Sequence, residues 1–291
     1  MLVIACISCK KLPENDEFQT NFVYIEGNKF KLQGEDFFPI ILNYVVDYQN
    51  DNGNFVVMPC IDYDSLGVIE AHGAENVADQ LRGHFQLISE MGFNTLRVCI
   101  DRIKRDEKGY YYRAGDTQFR INNQADEAAI LKGLEQFVAI AQEKGLHLML
   151  LIKSPAFSPT LEQFTIHLLQ HFRNNPTVFA YDFLNEPLYF DPIDNRNKQD
   201  ALKTVDKWKK IMTQYAPNQL FTIGFAEPTE VFVWDPTILP VDFVEIHTYN
   251  PLRVPCEIYW YSHFVNKPWI IGETALPADG NNISYKEQAQ L

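Results

Sequence analysis

The sequence is short of cysteine, of basic charge and of long apolar runs, and each shortage closes off a class of protein. Five cysteines are spread over 291 residues. With Cys6 and Cys9 set aside at the terminus, Cys60, Cys99 and Cys256 form an odd set that gives no disulfide framework, and no spacing among them suits zinc. Cys99 falls in an apolar run and reads as a small core residue, while Cys60 and Cys256 fall in loops and could pair only with favourable geometry. Lys and Arg number 25 against 38 Asp and Glu, a net charge of −13. That sign argues against nucleic acid or an anionic membrane surface as partner. No run is long enough for a transmembrane helix.

What is present is a large apolar fraction, 46% of the chain, in a length that suits one barrel domain of about 250 residues. Turn signals at Gly27-Asn28 and Gly34 make residues 22 to 34 a small hairpin, expected to cap a barrel bottom. Strand patterns then recur at Phe37 to Tyr44, Thr95 to Ile100, Leu146 to Ile152, Val178 to Leu184, Leu220 to Phe225, Phe243 to His247 and Trp269 to Glu273. Helical spacing lies between them, as in Val77, Leu81, Phe85, Ile88 and Met91, in Ile130, Leu134, Phe137, Val138 and Ala141, and in Leu202, Val205, Trp208, Ile211 and Met212. Thr160 with Gln163 is the expected capping box of the helix that buries Phe164, Leu168 and Phe172.

Alternation of this kind implies parallel strands with helical crossovers, so the fold class is α/β, a (β/α)8 TIM barrel. Seven strands are counted; the eighth strand and helix are missing from the pattern. Ser284 and Glu287 open a seventh helix with few residues after it, and a C-terminally truncated product is the expectation. Two connections, 46 to 74 and 101 to 126, exceed ordinary turns and are expected to shape a cleft on the active face. Asp47-Tyr48, Asp62-Tyr63-Asp64 and Tyr110-Tyr111-Tyr112 would supply its aromatic and hydroxyl-binding groups.

Two strands end in a carboxylate. Ala180-Tyr181-Asp182-Phe183-Leu184-Asn185-Glu186 is stopped by Pro187, and Trp269-Ile270-Ile271-Gly272 runs into Glu273. Paired carboxylates on separate strand ends are what cleavage of a glycosidic bond needs. With Arg97 in Gly92 to Val98 and His247-Thr248-Tyr249 between the two glutamates, the order resembles that of clan A glycoside hydrolases, most nearly glycoside hydrolase family 5, the cellulase and mannanase family. The likeness covers roughly residues 21 to 291.

The resemblance implies a retaining mechanism on a β-linked oligo- or polysaccharide of mannan or glucan type, with Glu186 as acid/base and Glu273 as nucleophile. It implies that Arg97 and Tyr249 favour ionised Glu273, that Asn185 binds the sugar 2-hydroxyl and that His247 stands beside the acid/base. It implies no cofactor and no metal. Asn43 and Tyr44 would line the site at the first strand end, Lys153 would stand where the family often has a histidine, and Trp234, Tyr189 and Phe190 would offer sugar platforms. A glycan-binding pseudoenzyme or a fragment is the alternative. Residues 1 to 20 resemble the end of a lipoprotein signal and a linker, with Cys6 or Cys9 as the lipid-bearing residue of an exported, membrane-attached protein, although no basic segment precedes them.

Overall fold

The computed structural model describes residues 21–60, 77–152, 158–250, 252–275 and 284–288. Cys6, Cys9, Asp62-Tyr63-Asp64 and Lys153, named above, lie outside them. Strands β1 (Tyr24–Glu26), β2 (Lys29–Leu32) and β3 (Glu35–Asp36) form a small antiparallel sheet. Its turns use Gly27 and Gly34 at positive φ, where a side chain would be strained. Phe30 of this sheet packs edge-on against Phe243, and the following Phe37 against Phe179. With Val23, Met149, Ala180 and Ile270 these rings form a separate buried cluster at the N-terminal strand ends, so the expected hairpin does plug the bottom.

The main chain path then alternates. It runs through β4 (Ile41–Asp51), β5 (Asn54–Pro59), α1 (Val77–Glu90) and β6 (Thr95–Cys99), then β7 (Ile103–Asp106), β8 (Gly109–Ala114), β9 (Thr117–Arg120), α2 (Gln124–Glu143) and β10 (His147–Leu151). It continues through α3 (Pro159–Phe172), β11 (Val178–Asn185), α4 (Pro187–Phe190), α5 (Lys198–Tyr215), β12 (Leu220–Phe225), a 3-10 turn at Pro228–Phe232, β13 (Val244–His247), α6 (Val254–Phe264), β14 (Trp269–Glu273) and α7 (Tyr285–Gln288). Helix α2 starts where the Asn123 side chain accepts from the amides of Ala125 and Asp126, and its face Ile130, Leu134, Phe137, Val138 and Ala141 is buried. Helix α3 starts one cap earlier than the Thr160 expectation. Ser158 accepts from Leu161, and Pro159 takes the first helical position, where its missing N–H costs nothing.

One sheet holds the order β14-β13-β12-β11-β10-β6-β4-β5, parallel from β14 to β4. This is the expected α/β sheet with seven parallel strands among the described residues. It is not closed: β14 and β4 form no backbone ladder, and their link is the Asn43 side-chain amide donating to the Gly272 carbonyl at 2.8 Å. Below that bridge a groove of about 720 Å³ lies between them, lined by Phe37, Phe38, Ile40, Ile41, Trp269 and Ile271. Phe38 and Ile40 are exposed, as an unpaired seam requires.

The two long connections are not plain loops. Residues 46 to 51 extend β4 and pair antiparallel with β5 from Val46↔Pro59 to Asp51↔Asn54, and β7, β8 and β9 make a meander. A strand-period alternation in Asn54 to Met58 and in Tyr110 to Ala114 carries this; Phe55, Val57, Tyr112 and Ala114 are buried. Cys60, Cys99 and Cys256 form no disulfide among the described residues, so Cys60 and Cys256 do not pair. Cys60 is buried, while Cys256 is exposed on α6.

Candidate active site

Parallel strands align their C-terminal ends on one rim, and that rim collects Asn43, Arg97, Asn185, Glu186, His247, Tyr249 and Glu273. One oxygen of Glu186, one ring nitrogen of His247 and one oxygen of Glu273 lie within 4.8 Å of one another. Arg97 is the hub. Its Nη1 donates to Glu273 Oε1 at 2.5 Å and to Asn43 Oδ1 at 3.2 Å, its Nη2 to Asn185 Oδ1 at 2.7 Å and to Asp182 Oδ2 at 2.6 Å. Nε faces Glu245 Oε1 at 2.5 Å. A planar fork can serve several carboxylates at fixed angles where an ammonium could not. Burial opposes its charge, but Glu245, Asp182 and Glu273 together hold Arg97 firmly protonated.

His247 bridges the two glutamates of the rim and the core. Nδ1 meets Glu186 Oε1 at 2.9 Å and stands 3.7 Å from Glu273 Oε1, and Nε2 meets Glu245 Oε1 at 3.3 Å. Burial disfavours the charged ring, yet the bonds to Glu186 and Glu245 outweigh it and raise His247 to about 9. Both ring nitrogens are thus engaged, one by Glu186 and one by Glu245. The Tyr249 hydroxyl donates to Glu273 Oε2, and burial together with that bond keeps the phenol protonated. Glu273 thus receives charge-assisted and neutral donors on opposite oxygens.

The trio Glu186, His247 and Glu273 has ligand spacing for a cation. The Arg97 guanidinium and the Tyr249 hydroxyl already occupy the two oxygens of Glu273.

Five supporting residues were not singled out from sequence. Asp182 and Glu245 are fully buried beneath the rim. Desolvation and then repulsion from Glu245 raise Asp182, with Arg97 opposing. Glu245 Oε2 has no hydrogen-bond partner among the described residues. Gly272 leaves room for that carboxylate, because an added Cβ would run into it, and Gly224 does the same for the His247 ring, with Cε1 and Nε2 at 2.8 Å from such a Cβ. Glu230, pushed up to about 8 by burial, accepts from the amides of Leu188 and Ala226 at 2.7 Å each and so staples the turn after Glu186 to the end of β12. A signal did exist: an acid inside an apolar strand, as in Tyr181-Asp182-Phe183 or Val244-Glu245-Ile246, cannot be buried without a partner.

Glu186 itself sits in the left-handed region at φ 46° and ψ 68°. Pro187 bars the preceding Glu186 from the right-handed helical region, and the bond from the Glu186 amide to the Gly224 carbonyl at 2.8 Å fixes the turn. A side chain there costs about 1–2 kcal/mol, the kind of strain that accumulates at functional positions. The variant Glu186→Gly should therefore unfold at a higher temperature than Glu186→Ala, by about 1 kcal/mol, reversing the usual order of the two residues. Equal melting curves would show that the turn is unstrained.

Two expected site residues are corrected. Tyr44 points to the outer face of β4, where it is buried against Phe85 and Phe137 and its hydroxyl meets His84 Nδ1 at 3.0 Å. Alternation along the strand sends Asn43 inward and Tyr44 outward. Trp234 is buried, stacked on Trp208 and under the Arg196 guanidinium, so it presents no ring to a ligand. Tyr189 and Phe190 are exposed on α4, immediately beyond Glu186, and the Tyr189 hydroxyl donates to Glu227.

No family model and no curated protein matches the chain. Solved structures do. The endo-1,4-beta-mannanase of Rhizomucor miehei aligns with a TM-score of 0.60 at 12% identity over 89% of this chain and 83% of its own. A glycoside hydrolase family 5 mannosidase of the same organism gives 0.56 at 13% over 90% and 75%, and the beta-mannanase of the blue mussel Mytilus edulis 0.51 at 12% over 87% and 82%. At such identity the likeness establishes the fold: the chain has the parallel β/α sheet of these TIM-barrel glycoside hydrolases, left open between its first and last parallel strands.

Proposed function

We propose that the protein is a retaining glycoside hydrolase that cleaves O-glycosidic bonds of a β-linked mannan- or glucan-type glycan by double displacement. The observation that carries this reading is the approach of Glu186 and Glu273 across the rim, with one oxygen of each within 4.8 Å of the other. Retaining enzymes keep their carboxyl groups about 5–5.5 Å apart, whereas inverting enzymes leave roughly 6.5–9.5 Å for a water.

The roles follow from the neighbours. Glu273, bonded to Arg97 and Tyr249, is the carboxylate that attacks the anomeric carbon. Glu186 gives its proton to the departing oxygen, and the glycosyl ester on Glu273 remains. Glu186, now ionised, takes a proton from the water that breaks that ester, so configuration is restored. His247 holds Glu186 at its position between the two steps. Asn185, oriented by Arg97, supplies the contact to the sugar 2-hydroxyl. Tyr189 and Phe190, exposed beside the acid, offer apolar surface to the sugar on the leaving-group side.

The rival reading is a glycan-binding protein without turnover, and the unpaired seam between β14 and β4 is the observation in its favour. Proton NMR of the first-formed product from aryl β-mannosides, aryl β-glucosides and the corresponding oligosaccharides decides between them. The expected result is release of the β-anomer. An α-anomer as first product would remove the retaining mechanism, and binding with no turnover of any of them would favour the rival.

A further inference from the structure

A second cavity, of about 410 Å³, opens on the mouth side of the sheet, walled by Asp47, Gln49, Met58, Arg102, Lys104 and Arg113. Its position follows from strand geometry. Asp47 lies four residues beyond Asn43 on the same face of β4, ~13 Å further from the barrel bottom at ordinary strand rise. The cavity therefore stands beyond the cleavage level, within reach of a neighbouring sugar or a substituent of the chain being cut.

Its charge is opposite to that of the molecule. The chain as a whole carries −13, yet three cations and one carboxylate line this wall. The three share one face of the meander. Ile103 pairs with Tyr112 and Lys104 with Tyr111, so continuing the register by one residue sets Arg102 opposite Arg113, with Lys104 two positions along. The other face, Tyr112 and Phe119, is buried in the core. Like charges directly opposite on a sheet face destabilise it.

Two carboxylates stand near these cations among the described residues. Asp47 meets Arg102 at 3.2 Å, Asp116 is 4.0 Å from Arg113, and Lys104 has no ion pair among the described residues. Arg102 is held in place by Asp47 and by the Cys60 sulfur at 3.1 Å, while the Gly115 amide bonds the Tyr48 carbonyl and closes the far wall. The cations are thus gathered around one space.

We propose that this cavity is a subsite for an anionic group on the glycan, a carboxylate or a sulfate ester, contacted by Arg102, Lys104 and Arg113. It rests on the reading of the rim as a glycan-cleaving site. The substrate class narrows accordingly, to β-linked chains with acidic sugars or acidic decoration.

Titration calorimetry on the full chain carrying Glu186→Gln, which stops hydrolysis, tests it with three probes. They are a β-1,4-linked oligosaccharide bearing glucuronate, the same oligosaccharide after carboxyl reduction, and its sulfated counterpart. At least tenfold tighter binding of an acidic probe than of the reduced one is expected. The preference should weaken as sodium chloride is raised. Lys104→Glu with Arg113→Glu, both exposed positions, should abolish the preference and leave the affinity for the reduced probe unchanged. The tighter of the two acidic probes identifies the source of the anion. Equal binding of acidic and reduced probes, a preference that survives the charge reversals, or no binding of any probe overturns the subsite. Hydrolysis by the unaltered chain is scored separately: an acidic preference without turnover would sink the glycosidase reading and keep this one.

Discussion

Glu273→Ala should lose roughly 10⁴-fold or more in kcat on every substrate, because no covalent ester can form once the attacking carboxylate is gone. Glu186→Ala should behave differently. On glycosides with poor leaving groups the loss is about 10²–10⁴-fold, the usual worth of a positioned acid. On aryl glycosides whose leaving group needs no proton, the first step survives and the ester on Glu273 accumulates, giving a burst of released phenol. Azide should then rescue turnover of Glu186→Ala and yield a β-glycosyl azide, while with Glu273→Ala it should attack directly and yield the opposite anomer. The geometry explains why the two roles divide this way: Glu273 faces the Arg97 guanidinium and the Tyr249 hydroxyl, whereas Glu186 faces His247. An inverted product from Glu186→Ala would overturn the assignment.

Arg97→Met should cost about 3–5 kcal/mol of stability, because it leaves Asp182 and Glu245 buried with no guanidinium to face. Against a typical total of about 5–15 kcal/mol, that is enough to unfold part of the population. The deficit should also depend on pH with a definite sign. Without the cation the folded-state pKa of Asp182 lies further above its unfolded value of about 4, so stability is retained at low pH and lost as pH rises above that value. Adding Asp182→Asn and Glu245→Gln to Arg97→Met should recover part of the loss and flatten the pH dependence. Arg97→Lys should fold better than Arg97→Met but remain impaired in turnover, since one ammonium cannot hold Asn43, Asn185 and Glu273 at once. Denaturant titrations between pH 4 and 8 measure the stability of all three variants. A loss below about 1 kcal/mol for Arg97→Met would mean that the buried carboxyls are already neutral and that Arg97 has no structural role.

Much of the rim was legible because Glu186, His247 and Glu273 each close an apolar run. Glu186 and Glu273 end strands, and strand ends of a parallel sheet meet on one side whatever the packing. His247 ends β13 and Tyr249 follows two residues later, and their side chains reach Glu186 and Glu273. Tyr44 and Trp234 misled for a shared reason. Proximity in sequence to a strand end or a loop does not say which way a ring points, and a large ring gains more by burial than by waiting for a ligand. The inner acids were missed for the converse reason. Asp182 and Glu245 do no work visible in a linear pattern, and their partner Arg97 lies 85 residues from Asp182 along the chain.

By itself the sequence determined the alternation of strand and helix, the parallel sense of the sheet and the identity of the two carboxylates on its rim. These depend on local periodicity and on where an apolar run stops. The tertiary structure alone decided the rest: that one guanidinium serves Asp182, Glu245 and Glu273 together, that Glu186 is held in a left-handed turn by the Gly224 carbonyl, that the sheet stays open between β14 and β4, and that three cations gather on one face of the meander. Each of these is a meeting of residues far apart in the chain, fixed by register, by packing volume and by burial of charge, and none of those leaves a period in the sequence.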